Sequence, residues 1–166
     1  MAEVNSKVLV EVINGFIRSL LNSLNTMAFT EAHRVDIYLK KPNQAMKGDV
    51  SAIITLFGEL SGTCAISFPR KLAVKLIQKM MMDDSIDDIN EEVQDGIGEI
   101  ANLIGGGAKA DLATLLGTKA SLSIPTVITG INHRVEHQNG VPCIGCVFEA
   151  EGERMFLEVA CYPEGN

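Results

Sequence analysis

The chain has 166 residues, enough for one domain whose core needs neither disulfides nor metals. Hydrophobic residues make up 46 % and charged residues 21 %, which excludes a disordered chain. A net charge of −7 with no Trp, two Tyr and six Phe excludes a nucleic-acid binder, which needs a basic face and stacking aromatics.

Residues 6–28 predict a helix opened by Ser6, with Val8, Ile13, Ile17, Leu20, Leu21 and Leu24 near a 3.6-residue period. Residues 34–40 predict a strand and Pro42–Gly48 a connection. In the next strand, Asp49–Gly58, Val50, Ala52, Ile54 and Leu56 share one face. Ser61-Gly62 reads as a turn before a strand at Thr63–Phe68. Pro69 opens a helix over 70–82, with Leu72, Val74, Leu76, Ile77 and Met80 as its apolar set. Met80-Met81-Met82 reads as core filling at the helix end. Asp83, Asp84, Asp87 and Asp88 form a solvated patch ahead of a second long helix, over 89–116, which stops at Gly117. Ala120–Thr129 predicts a strand broken at Pro125. Asn139-Gly140 predicts a hairpin joining Asn132–His137 to Cys143–Ala150, and Met155–Tyr162 is the last strand.

This order predicts an α+β fold, an antiparallel sheet with the long helices packed on one face. Each half, about 1–80 and 81–166, reads as a long helix and about three strands. Glu-x-x-Asn occurs in both, at Glu11–Asn14 and Glu99–Asn102. The expectation is one domain, 1–166, made of two similar halves. No run of 18 apolar residues occurs, so no membrane-spanning helix is expected. Met1-Ala2-Glu3 feeds no apolar run from a basic segment, so no signal peptide is expected. Cys64, Cys143, Cys146 and Cys161 then point to free thiols in a reducing cytoplasm.

At about 100° per residue, Val93, Ile97, Ile100, Ala101, Ile104, Ala108, Leu112 and Leu115 gather on one side of the second long helix. That side should bury against the sheet. Asp95, Glu99 and Asn102 gather on the other, with Gly106 one turn further on and Lys109 at the edge. Gly105-Gly106-Gly107 costs about 1 kcal/mol per residue relative to alanine inside a helix. The run marks a helix break, a tight helix crossing, or a bare patch that admits a partner's backbone. It is not a phosphate-binding loop, since it lacks the first glycine and the Ser/Thr and follows no strand.

Asp95-x3-Glu99-x2-Asn102 resembles the Asp/Ser-x3-Glu-x2-Asn signature of the chemotaxis phosphatases CheC, CheX and FliY. Gly96 to Gly106, and Ile124-Pro125-Thr126-Val127-Ile128-Thr129-Gly130 after it, resemble CheX in particular. The resemblance implies a cytoplasmic hydrolase that dephosphorylates a phosphorylated CheY-type receiver, through Glu99 and Asn102, with Asp95 and Gly106 in the binding surface. It implies Mg²⁺ on the receiver, no metal or cofactor on this chain, and a homodimer joined through sheet edges. On the first helix, Lys7 stands where the signature has Asp or Ser, so Glu11 and Asn14 read as a remnant. The non-catalytic alternatives are a module of the family fold that only binds a phosphorylated receiver, and a structural subunit, as in flagellar switch proteins that share this fold.

The residue types suit hydrolysis of an acyl phosphate. The receiver already supplies a cation and a lysine, so the chemistry left is positioning. A carboxamide at Asn102 orients water and meets phosphoryl oxygens without adding charge. A carboxylate at Glu99 pairs with the lysine.

Cys143-x2-Cys146 behind His133 and His137 has the composition of a zinc site. On a hairpin turning at Asn139-Gly140, however, His133 would face Cys146 while Cys143 points to the opposite side of the sheet, so four ligands do not converge. His33 reads as exposed and structural.

Overall fold

Side chains that alternate along a strand must bury on one face only, and that sets where the helices lie. A computed structural model describes residues 2–164, with the side chains of the first helix from Ser6 onward. The elements are α1 (Ala2–Ala28), β1 (His33–Leu39), β2 (Met46–Gly58), β3 (Leu60–Phe68), α2 (Arg70–Met81), α3 (Glu91–Leu116), β4 (Ala120–Leu122), β5 (Thr126–Val135), β6 (Cys143–Ala150) and β7 (Glu153–Pro163). One antiparallel sheet carries the strands in the order β1-β6-β7-β3-β2, and the outer side of β2 pairs with β4 and β5 in turn. Exchanging β1, β2 and β3 for β5, β6 and β7 leaves that order unchanged.

Val50, Ala52, Ile54 and Leu56 of β2 bury with Cys64, Ile66 and Phe68 of β3 and Leu157, Val159 and Cys161 of β7. Leu20 and Leu24 of α1, Leu72 and Leu76 of α2 and Ile97 and Ile104 of α3 close over them in the same core. The apolar alternation thus selects the helix face, as the sequence predicts. A second, smaller cluster of Met46, Ala65 and Val135, with Ile53 and Phe156, lies on the opposite face.

Several sequence expectations change. The turn between β2 and β3 pivots at Glu59, because Leu56 pairs with Gly62 and Thr55 with Thr63. Gly58 takes the positive φ there, +104°. Gly62 is instead a close approach to β7, where a Cβ would stand 2.0 Å from the Ala160 carbonyl oxygen. Met46–Gly48, expected in a connection, already pairs with His133–Val135. The strand expected at Asn132 continues β5 across an irregularity, held where Asp49 accepts from the Asn132 N–H at 2.7 Å and from Arg70 N–H at 2.8 Å. That backbone bond from Asn132, against a smaller opposing effect of burial, holds the Asp49 carboxyl below its ordinary value.

A further change concerns Asn139-Gly140, which turns but joins no paired hairpin. β5 pairs with β2, whereas β6 pairs with β1 and β7. Segment 136–142 therefore crosses β2, β3 and β7, as segment 40–45 crosses β6, β7 and β3. A local dipeptide sets a turn, but burial of the flanking strands chooses their neighbours. Met81 and Met82 are exposed rather than core-filling, and only Met80 packs on the core.

Both crossings are tied down on the face away from the helices, at a fully buried carboxylate. Glu158 of β7 accepts from Tyr38 Oη at 2.7 Å and from Lys40 Nζ at 2.6 Å. His137 Nε2 lies 3.2 Å from the same carboxylate while its Nδ1 meets Thr63 Oγ1 at 2.6 Å. Tyr38 reaches across because Gly145 lies beneath its ring, where a Cβ would come within 2.2 Å of it. Burial pushes the Glu158 carboxyl up, but His137 beside it and the bonds from Lys40 and Tyr38 outweigh this and hold it below its ordinary value.

A depressed carboxyl pKa stabilises the fold above the unfolded value, and the contribution is lost as pH falls through the folded one. Glu158→Gln should cost about 3–5 kcal/mol in urea unfolding at neutral pH, by leaving Lys40 without its carboxylate. It should also flatten the loss of stability below pH 4.5. Gly145→Ala should destabilise by about 1–3 kcal/mol, because the aromatic ring above cannot yield.

Candidate functional site

α3 is started by Asn90, whose side chain accepts from Val93 N–H at 3.0 Å, with Glu91 and Glu92 in the first turn. Val93, Ile97, Ile100, Ala101, Ile104, Ala108 and Leu112 are buried. Leu115, expected with them, is exposed, because it lies in the last turn, past the end of the packed stripe. The opposite side presents Asp95, Glu99, Asn102 and Gly106 to solvent, in one row along the helix.

The glycine run does not break the helix. Each glycine faces a different surface. A Cβ at Gly105 would stand 3.2 Å from Ile54 and 3.3 Å from Leu122, so this residue seats α3 on the sheet. At Gly107 it would stand 2.2 Å from Ser19 Oγ, so this one seats α3 on α1, where Ser19 donates to the Leu103 carbonyl at 3.3 Å. Gly15 of α1 returns the contact against Ala108 and Asp111. Nothing lies within 4 Å of a Cβ at Gly106. That glycine is bare, on the same side as Asn102.

The row does not stand on a plain helix face. The connector between β4 and β5, residues 123–125, rises beside it. One cleft is lined by Asp95, Glu99, Asn102, Ile124 and Pro125, and a second by Asn102, Leu103, Gly106, Lys109 and Ile124. Asn102 and Ile124 belong to both. The sequence places Ile124-Pro125 in a strand broken at Pro125 and in the CheX-like stretch, but assigns Ile124 no site role; the signal for one is an apolar residue directly before a proline, between two strands.

The other candidates separate. Glu11 and Asn14 are half-buried on α1, with Lys7 and His33 exposed. His133 does not face Cys146, since β5 pairs with β2. Its Nε2 meets Ser51 Oγ at 2.7 Å and its Nδ1 the Gly130 carbonyl at 2.8 Å. Cys146 packs in the helix-side core and Cys143 lies on the other face, as expected from their odd spacing. Cys143 does approach His137 and Glu158, with ligand atoms within 4.8 Å of one another, a grouping that spacing along the chain did not reveal. The Lys40 ammonium already serves as the cation of that cluster. Burial pushes the thiols of Cys143 and Cys161 up to about 12 and that of Cys146 to about 11, the reverse of reactive cysteines. Among the described residues no helix is long and apolar enough to cross a membrane.

Comparison with known proteins gives a consistent result. The profile of the chemotaxis phosphatase CheX family matches residues 50–149. A CheC-like superfamily protein from Shewanella sp. PV-4 is 35 % identical over 94 % of this chain and 99 % of its own, with a TM-score of 0.85. Chemotaxis protein CheX from Vibrio vulnificus is 34 % identical over 91 % of this chain and 99 % of its own, with a TM-score of 0.84. A more distant structure, the CheX–CheY–BeF3–Mg²⁺ complex from Borrelia burgdorferi, matches at 21 % identity over 90 % of this chain and 97 % of its own. Its TM-score of 0.67 carries the likeness of fold alone. No curated protein sequence matches the chain.

Gly106 and Gly107 make opposite predictions. Gly106→Ala should raise stability by about 0.5–1 kcal/mol, since a helical alanine there meets nothing. Gly107→Ala should lower it, by displacing Ser19 from its bond to Leu103. Thermal unfolding of the two variants side by side checks both signs.

Proposed function

Because the chain belongs to the chemotaxis phosphatase CheX family, we propose that it hydrolyses the aspartyl phosphate of a CheY-type response regulator, with Asn102 orienting the attacking water and Glu99 docking the receiver's lysine. One observation carries the reading. A carboxylate and a carboxamide less than one turn apart face solvent from a helix whose other side is fully buried. Side chains with no packing role of their own are free to meet a partner, while the helix beneath them does not move.

Water attacks in line with the leaving carboxylate, and charge spreads over three equatorial oxygens. The Asn102 carboxamide accepts a hydrogen from the water through its oxygen and donates to a phosphoryl oxygen through its nitrogen. A carboxylate in its place would repel those oxygens. Glu99 pairs with the lysine beside the acyl phosphate and fixes the helix in register. Asp95 extends the docking row, and bare Gly106 allows the receiver's backbone close to Asn102. The Mg²⁺ belongs to the receiver, in keeping with a CheX relative crystallised with CheY, BeF3 and Mg²⁺.

The same reading places the protein in the cytoplasm, where receivers act. It takes the chain as two similar halves, supported by the strand order that survives their exchange. It also takes the protein as a homodimer through sheet edges. In support, β1 has a neighbour on one side only and leaves Val35, Ile37 and Leu39 exposed.

Asn102→Ala and Glu99→Ala should each slow phosphate release from a phosphorylated CheY-type receiver by about 100-fold or more. Their unfolding midpoints should match that of the parent protein, because both side chains are exposed. Full activity in both variants overturns the assignment. Receiver binding without any hydrolysis by the parent protein identifies a non-catalytic module of the same fold.

A further inference from the structure

Ile124 is 83 % exposed, yet it stands on one of the more tightly held connections of the molecule. Ser123 N–H donates to the Thr55 carbonyl at 2.9 Å. Ser123 Oγ accepts from Thr55 N–H at 3.0 Å and donates to the carbonyl of Ile124 itself at 2.9 Å. Pro125 follows and confines the backbone of the residue before it to extended conformations. A large β-branched side chain is therefore held out in water by three hydrogen bonds and a proline, when a looser connector could fold it away.

Among the described large hydrophobic residues only Met82 and Ile131 are as exposed, and neither lines the clefts around Asn102. Ile124 lines both. Leu103, 43 % exposed, adds a second apolar wall on the Gly106 side. The surface beside Asn102 is thus an apolar projection flanked by a carboxylate row and a bare glycine. Interfaces concentrate binding energy in such rigid apolar anchors, ringed by polar groups. Order on the free side lowers the entropy lost on docking.

We propose that Ile124 is the apolar anchor on which the phosphorylated receiver seats, and that it sets receiver affinity and choice while Asn102 acts on the water. The proposal rests on the phosphatase reading and adds to it a residue outside the helix signature. The occupant is the receiver because the projection is continuous with the Glu99–Asn102 row and shares its clefts. A partner whose lysine meets Glu99 and whose acyl phosphate meets Asn102 covers Ile124 as well. Ile124 takes no part in the chemistry; it is a specificity-determining residue.

The test compares parent protein, Ile124→Ala, Ile124→Val and Asn102→Ala in two measurements. One is steady-state hydrolysis of the organism's phosphorylated CheY-type receivers. The other is equilibrium binding of the same receivers loaded with BeF3 and Mg²⁺. Ile124→Ala should raise KM about tenfold or more with kcat within about twofold, and weaken binding by the same factor, which is about 1.4 kcal/mol per tenfold. Ile124→Val should restore most of both. Asn102→Ala should lower kcat instead. Unchanged KM and binding in Ile124→Ala overturn the anchor, even if Asn102→Ala is inactive. Full activity in Asn102→Ala overturns the role of Asn102, absence of hydrolysis by the parent protein overturns the phosphatase reading, and in either case the binding measurement still decides the anchor. A fall in kcat equal to the rise in KM in Ile124→Ala also overturns it, since a pure docking residue leaves the chemical step alone.

Discussion

The seating of α3 between the sheet and α1 is the constraint on which the other features depend. A helix of 26 residues touches two surfaces at once only if its side chains are small where both press on it. Gly105 admits Ile54 and Leu122 from below, and Gly107 admits Ser19 from the side. The helix-propensity cost of these glycines is offset by close packing on two fronts. With those two sides occupied, the third is left to solvent, and it carries Asp95, Glu99, Asn102 and Gly106. The chemistry proposed for the row needs fixed offsets rather than strong groups. The packed side of the helix supplies them.

The opposite face of the sheet solves a different problem. Two connections must each cross three strands to reach their next partner, and crossing segments carry backbone polar groups that need an anchor. One buried carboxylate, Glu158, receives Lys40 and Tyr38 from the first half and His137 from the second. An ion pair of this kind adds little net stability against a hydrophobic equivalent, yet breaking it is costly. Its position at the centre of both crossings makes it a pin for the topology. Gly145 belongs to the same device, because without its bare backbone the Tyr38 ring could not lie across the sheet.

The candidate surface combines a signature on α3 with a projection from the β4–β5 connector. These two parts belong to successive stretches of the chain and meet because β4 pairs with the far end of β2, bringing Leu122 beneath Gly105. In the proposed reading the Asp95–Asn102 row orients and pairs, bare Gly106 gives access, and Ile124 adds contact area. Division of labour of this sort lets affinity change without altering the positioning of water.

Local and periodic properties were legible in the sequence. The helices, the face of β2 that buries, the outward turn of Glu99 and Asn102 and the opposite facing of Cys143 and Cys146 all follow from periods of 3.6 and 2. These patterns operate over a few residues, and one buried face is enough to orient each element. Strand neighbours were not legible. Asn139-Gly140 signals a turn whether or not the flanking strands pair, and Gly62 looks like a turn although it marks contact with β7. The meeting of His137, Cys143 and Glu158, and the rise of Ile124 beside Asn102, likewise depend on which strands lie side by side. That choice is made by burial of whole faces over long separations, so only the folded sheet decides it.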